Sequence, residues 1–181
     1  MQVIWYTAMS MDGRLAGPGG DLSFLQSIDA GHEDEFEEFL ADIDAVIVGA
    51  STVRWLEREG HGSMPTEGKP VWILTHDEEL AGRMAEGPDR VIRREGDVGP
   101  VLDEIEIAGH GRVWICGGGD VAGQILALDR VDEVVLTVAP TALGSGPAMF
   151  DYAGPASAVF SLEELSRYGT NAVRIRWVRK R

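Results

Sequence analysis

The stretch Val113-Trp114-Ile115-Cys116-Gly117-Gly118-Gly119-Asp120 carries the densest chemical signal in the chain. A short β-branched and aromatic run ends in three glycines, and the apolar residues Val121, Ile125, Leu126 and Leu128 follow. That order predicts a buried strand, a tight turn and a helix start. Glycines at such a turn let backbone approach a ligand, and free N–H groups of the first helical turn suit a phosphate. Close packing of strand on helix calls for the same glycines, so the turn alone leaves both readings open. Asp12-Gly13 is a second such place, read either as a carboxylate poised for chemistry or as an ordinary turn pair. Cys116, the only cysteine, ends a predicted core strand and reads as an inert packed thiol; no intrachain disulfide can form. His32, His61, His76 and His110 fall in separate loops or helix starts, without metal-ligand spacing to one another or to Cys116.

The elements that must hold these residues alternate. Val3 to Ala8 is a strand, followed by a glycine-rich loop from Asp12 to Asp21. Glu33 to Leu40 is a helix with Phe36, Phe39 and Leu40 on one face. Ala45-Val46-Ile47-Val48 is a continuous apolar strand, as expected for one buried on both faces. Ser51 is placed to cap a short helix through Trp55 and Leu56. After a glycine- and proline-bearing loop (60–70), Val71 to Leu74 is a strand, and Thr75-His76-Asp77 opens a helix. Arg90-Val91-Ile92 is a short strand and Val98 to Ala108 a helix. Beyond the glycine turn, Val131 to Ala139 is a long strand and Pro140 to Gly154 an irregular loop. Ala158-Val159-Phe160 and the alternating Val173, Ile175 and Trp177 form an antiparallel pair closing one edge. The pattern predicts an α/β fold: a mostly parallel sheet of about eight strands within a single domain spanning 1–181. The usual dinucleotide fold carries G-x-G-x-x-G after its first strand, whereas Asp12-Gly13 follows here, so that fold is disfavoured.

Composition narrows the partners. The 181 residues carry a net charge of −14, which argues against nucleic acid and anionic membranes. Lys69 and Lys180 are the only lysines. No apolar run reaches membrane-spanning length and the first residues read as a strand, so the expected location is cytoplasmic.

Four ordered segments resemble the dihydrofolate reductase-like superfamily, especially the RibD C-terminal (riboflavin-biosynthesis pyrimidine reductase) domain family. The first is Ala8-Met9-Ser10-Met11-Asp12-Gly13-Arg14-Leu15-Ala16-Gly17, similar to S-x-D-G-x-I-A. The second is Asp44-Ala45-Val46-Ile47-Val48-Gly49-Ala50-Ser51-Thr52, similar to D-A-apolar-G-x-x-T. The glycine turn is the third. The fourth is Val131-Asp132-Glu133 through Ala139-Pro140, then Leu143-Gly144-Ser145-Gly146 and Phe150.

The resemblance implies a three-layer dihydrofolate reductase-like fold and an NADPH-dependent reductase of the 5-amino-6-(5-phosphoribosylamino)uracil type. Dihydrofolate reduction, or a nucleotide-binding dimer without turnover, is the alternative. It implies that Ala8 meets the nicotinamide carboxamide and that Ala16 and Gly17 close over the ring. Gly49 and Thr52 open the helix that receives the pyrophosphate, and Leu74 and Thr75 flank the adenosine. Gly117, Gly118, Gly119, Asp120 and Val121 form the second phosphate cradle. Asp12, beside the nicotinamide end, and Glu35, in Glu35-Phe36-Glu37-Glu38-Phe39, are the candidate catalytic acids. The substrate, a small heterocycle, is expected beside strand one against Trp5 or Tyr6, Ser10, Phe24 and Phe39, with Ser145 and Gly146 at the rim. Arg14, Arg54 or Arg58 would meet a substrate phosphate. Ala50 stands where dihydrofolate reductases carry Arg, which leaves NADH open beside NADPH, with Arg54, Arg93 or Arg94 as substitute cations. Cys116 stands where the riboflavin-pathway enzymes often have Glu. A homodimer is expected, both from the resemblance and because the alternating last strand needs cover.

Overall fold

In the computed structural model, the chain is described over residues 1–28, 33–60, 66, 68–85, 90–151, 154 and 157–181, without the side chains of 33 and 34. His32 and His61 lie outside the described residues, as does part of the 60–70 loop.

The strands are β1 (Gln2–Ser10), β2 (Ala45–Gly49), β3 (Pro70–Leu74), β4 (Arg90–Arg94), β5 (Arg112–Gly117), β6 (Glu133–Ala139), β7 (Phe160–Tyr168) and β8 (Ala172–Arg179). The helices are α1 (Glu33–Ala41), α2 (Ala50–Arg58), α3 (Glu78–Ala85), α4 (Val98–Ile107) and α5 (Gly119–Ala127). One sheet in the order β4-β3-β2-β5-β1-β6-β8-β7 holds all eight strands. The first six run parallel, and β8 and β7 add an antiparallel edge.

Strand alternation builds two cores. Val3 and Trp5, Ala45 and Ile47, and Val113 and Ile115 face α4 and α5, whose Val101, Leu102, Ile105, Val121 and Ile125 cover them. Ile4, Val46, Val48, Val71, Ile73 and Trp114 face the other way, under Leu40 of α1, Val53 and Leu56 of α2, and Leu80 and Met84 of α3. All five residues of β2 are buried, as its uninterrupted apolar run requires.

Three local expectations are corrected. Gly49, not Ser51, is the N-cap of α2, and no side chain caps that start. Helix α5 begins at Gly119, so the last glycine and Asp120 lie inside its first turn rather than before it. The first strand of the tail hairpin begins at Phe160 and runs to Tyr168, rather than occupying 158–160. Its sequence Ser161-Leu162-Glu163-Glu164-Leu165 hides the strand because a register shift between Leu162 and Glu164 breaks the two-residue period, and the edge position leaves its polar residues solvated.

Candidate active site

A cleft opens where β1 and β5 part. The two strands pair only over Gln2–Trp5, against Arg112–Ile115. Beyond that point β1 stays with β6 to Ser10, and β5 stays with β2 to Gly117. Thr7 and Ala8 form one lip, Cys116 and Gly117 the other, and the space between is the floor of a lobe of about 680 Å³. Trp114 Nε1 donates to the Tyr6 carbonyl across this gap at 3.1 Å. By strand alternation the amide and carbonyl of Ala8 point to the same side as the Tyr6 carbonyl, so they too face the gap. A second lobe of about 330 Å³ lies beyond the carboxyl ends of β2, β3 and β4. The lobes share Ser51, Gly118 and Asp120. Ligands of open α/β sheets characteristically sit outside strand carboxyl ends in this manner.

Two helix starts meet at the junction. The N-caps Gly49 of α2 and Gly118 of α5 carry no side-chain cap, so first-turn N–H groups and the positive dipole ends are left for a ligand. The glycines of the turn divide the labour. A Cβ on Gly117 would lie 2.4 Å from Thr52 Oγ1, and one on Gly119 2.3 Å from the Ala148 carbonyl oxygen, so both serve close packing. A Cβ on Gly118 would meet Ser51 Oγ at 3.3 Å, at the junction itself.

The loop after β1 roofs the larger lobe. Leu15 and Ala16 line it, and so do Gly19, Gly20, Leu22 and Leu25. Gly17 N–H donates to the Asp21 carbonyl at 2.8 Å, and Gly19 and Gly20 take positive φ of 72° and 84°. Ser51, Thr52, Trp55 and Arg58 form the α2 wall, and Arg58 lies against Gly20. At the floor, Trp5 is fully buried and its Nε1 has no hydrogen-bond partner among the described residues. Burial pushes the Cys116 thiol up to about 12, so it faces the lobe neutral, in keeping with an inert thiol.

The family model for the RibD C-terminal domain matches residues 1–173. The chain belongs to the RibD C-terminal domain family. It is 24% identical over 154 residues to the uncharacterized protein YwjB of Bacillus subtilis (strain 168), covering 82% of each chain. Among solved structures, a provisionally named riboflavin biosynthesis protein from Shewanella sp. PV-4 gives a TM-score of 0.87 at 24% identity, over 100% of both chains. The Thermotoga maritima diaminohydroxyphosphoribosylaminopyrimidine deaminase/5-amino-6-(5-phosphoribosylamino)uracil reductase gives 0.79 at 20% identity, over 99% of this chain and 56% of that one. The shared fold is the dihydrofolate reductase-like one.

In this RibD C-terminal domain the residues expected at a cofactor converge. Ala8, Ala16, Thr52, Gly117, Gly118, Gly119 and Asp120 line the larger lobe, and Gly49, Leu74, Thr75 and Val121 the smaller. Gly17 lines neither and instead closes the loop on Asp21.

The expected acids and substrate contacts are placed differently. Asp12 accepts from Ser10 Oγ (2.6 Å) and from the amides of Leu143 (3.0 Å) and Gly144 (2.7 Å). These donors hold its carboxyl down at about 2, so it anchors the 141–146 loop as an anion and does not store a proton. Glu35 is paired with Arg174, whose guanidinium stacks on Tyr168 at 3.8 Å. Ser10 is buried between Asp12 and the Arg14 amide. Arg14 donates to the Gly146 carbonyl at 3.1 Å, and Arg54 reaches Asp77 at 3.3 Å, so neither faces the cleft. Phe24 is core, and Phe39 stacks on Tyr6 with centroids 4.3 Å apart. Burial pushes the Tyr6 phenol up to about 12. Gly146 packs under Ala16, where a Cβ would lie 1.9 Å from its carbonyl oxygen, and exposed Ser145 lines neither lobe. Of the three arginines weighed for a substrate phosphate, only Arg58 lines the larger lobe. Its wall was legible in the sequence: Ser51, Trp55 and Arg58 recur at i, i+4 and i+7, one face of a helix.

Proposed function

We propose that this chain is a nicotinamide-dependent reductase of the 5-amino-6-(5-phosphoribosylamino)uracil reductase type, acting on a small heterocyclic substrate as a cytoplasmic homodimer. The observation that carries the reading is the meeting of two uncapped helix starts at Gly118, beside the gap between β1 and β5. The residues fit a dinucleotide. A pyrophosphate is matched by the free amides of α2 and α5, and the unpartnered Trp5 Nε1 is a donor awaiting an acceptor at the floor. The Ala8 backbone would hold the carboxamide, and Leu74 and Thr75 would flank the adenosine.

When bound, NADPH or NADH supplies the hydride. The chain's own part is positioning and exclusion of water. The walls Leu15, Leu22, Leu25 and Trp55 are apolar and pack a flat ring, and the loop over them closes the site. Arg58 is the only cationic side chain among the described residues of the larger lobe, and it would receive the substrate phosphate.

The test is a titration of NADPH and NADH into wild type and Gly118→Val. Dinucleotide oxidation is then followed with the phosphorylated ribosylaminouracil and with dihydrofolate. Binding to wild type and its loss in a folded variant support the reading, and unchanged affinity in that variant overturns it. Faster oxidation by dihydrofolate moves the substrate assignment there. Binding without oxidation by either compound would leave a nucleotide-binding protein.

A further inference from the structure

We propose that the smaller lobe selects the dinucleotide without a 2′-phosphate, NADH, and that Glu95 is the residue that discriminates; this rests on the dinucleotide reading above.

With the ring in the gap between β1 and β5 and the pyrophosphate at Ser51 and Gly118, the adenosine end falls in the smaller lobe. A 2′-phosphate there needs an uncommitted cation, because it carries between one and two negative charges at neutral pH. Among the described residues, the cations around this lobe are already engaged. Arg94 lines it, but its Nε and Nη2 both hold Glu104 at 2.6 Å, and its Nη1 donates to the Arg93 carbonyl at 2.7 Å. Trp72 Nε1 donates to the same Glu104 carboxylate, at Oε1, at 3.1 Å. Arg93 pairs with Glu78 at 3.0 Å and also with Glu95. Arg54 of α2 is held at 3.3 Å by Asp77, which stands just before α3. His76 lies 3.3 Å from Glu95.

Among the described residues, two carboxylates line the lobe, Glu95 and Asp120. Asp120 is at the junction, within 3.0 Å of Gln124 Nε2, which leaves Glu95, itself paired with Arg93 and beside His76, as the carboxylate at the adenosine end. A ribose hydroxyl can donate to a carboxylate, whereas a phosphate is repelled by it. Glu95 is half-exposed, so solvent and salt screen the effect and the discrimination is moderate.

The experiment measures dissociation constants for NADH and NADPH by calorimetry at low salt, on wild type, Glu95→Gln and Glu95→Lys. Wild type is expected to hold NADH about tenfold or more tightly than NADPH, with the ratio shrinking as salt is raised. Glu95→Gln should narrow the ratio. Glu95→Lys should invert it, by tightening NADPH and, through loss of the acceptor for the ribose hydroxyl, weakening NADH. Equal or tighter NADPH binding by wild type overturns the proposal while leaving the dinucleotide reading intact. A preference for NADH that both variants retain removes Glu95 as its cause and overturns the proposal as stated. If folded wild type binds neither dinucleotide, the underlying reading falls and this one with it.

Discussion

Arg58 Nη1 donates to the carbonyl of Gly19 at 3.2 Å, joining the last turn of α2 to the glycine loop that roofs the larger lobe. One side chain therefore both lines the cleft and holds its cover. Replacing it with Ala should raise KM for a phosphorylated pyrimidine by about tenfold or more, in line with loss of a charge-assisted contact. The dephosphorylated compound should lose much less. Arg58→Lys should recover part of the phosphate effect. Equal KM changes for both compounds would restrict Arg58 to holding the loop.

The glycines of the β5–α5 turn and of α5 itself should separate by what they fail at. Gly119→Ala drives a Cβ toward the Ala148 carbonyl oxygen, and Gly123→Ala toward that of Asp151 at 2.1 Å. Each should cost about 1–3 kcal/mol of stability, the usual penalty of overpacking, read from denaturant unfolding. Gly118→Val should leave the unfolding midpoint nearly unchanged and remove dinucleotide binding.

The Asp12 anchor predicts an acid dependence. Its carboxyl lies near 2 in the fold against an ordinary 3.8. A lowered value stabilises the fold above the unfolded value, and that contribution is lost as pH falls from about 4 through about 2. Asp12→Asn should remove this part of the pH dependence of unfolding, because the amide cannot ionise. Its loop, tied by Leu143 and Gly144, should become more open to proteolysis at neutral pH.

The hairpin of β7 and β8 should be covered by a second copy. Leu165 is 62% exposed, Leu162 58% and Val173 41%, and the cross-strand pairs Leu162–Trp177 and Leu165–Ile175 place them on one face. Light scattering at micromolar concentration should give a dimer mass, and Leu165→Glu with Val173→Glu should shift it toward the monomer. A monomeric wild type would refute the assignment.

Glu35 on α1 pairs with Arg174 on β8, 139 positions away, a contact that no local pattern announces. Local pattern determined the strands: an uninterrupted apolar run such as 45–48 has to be buried on both faces, and glycines after β-branched runs have to be turns. Ordered motifs in turn determined which turns belong to one cleft, and Gly49, Thr52, Leu74, Thr75 and Gly117–Val121 do converge. Polar side chains were another matter. Asp12, Arg14, Arg54 and Glu35 each have a partner 23 to 139 positions away, and a sequence does not say which of several arginines or carboxylates will meet. Only the tertiary structure decided that Arg58 faces the cleft while Arg14 and Arg54 turn to other partners. The register shift that hides β7 belongs to the same class, since an edge strand takes its pairing from a neighbour rather than from its own period. Burial is written in the residues themselves, whereas the pairing of charges depends on which distant segments the fold brings together.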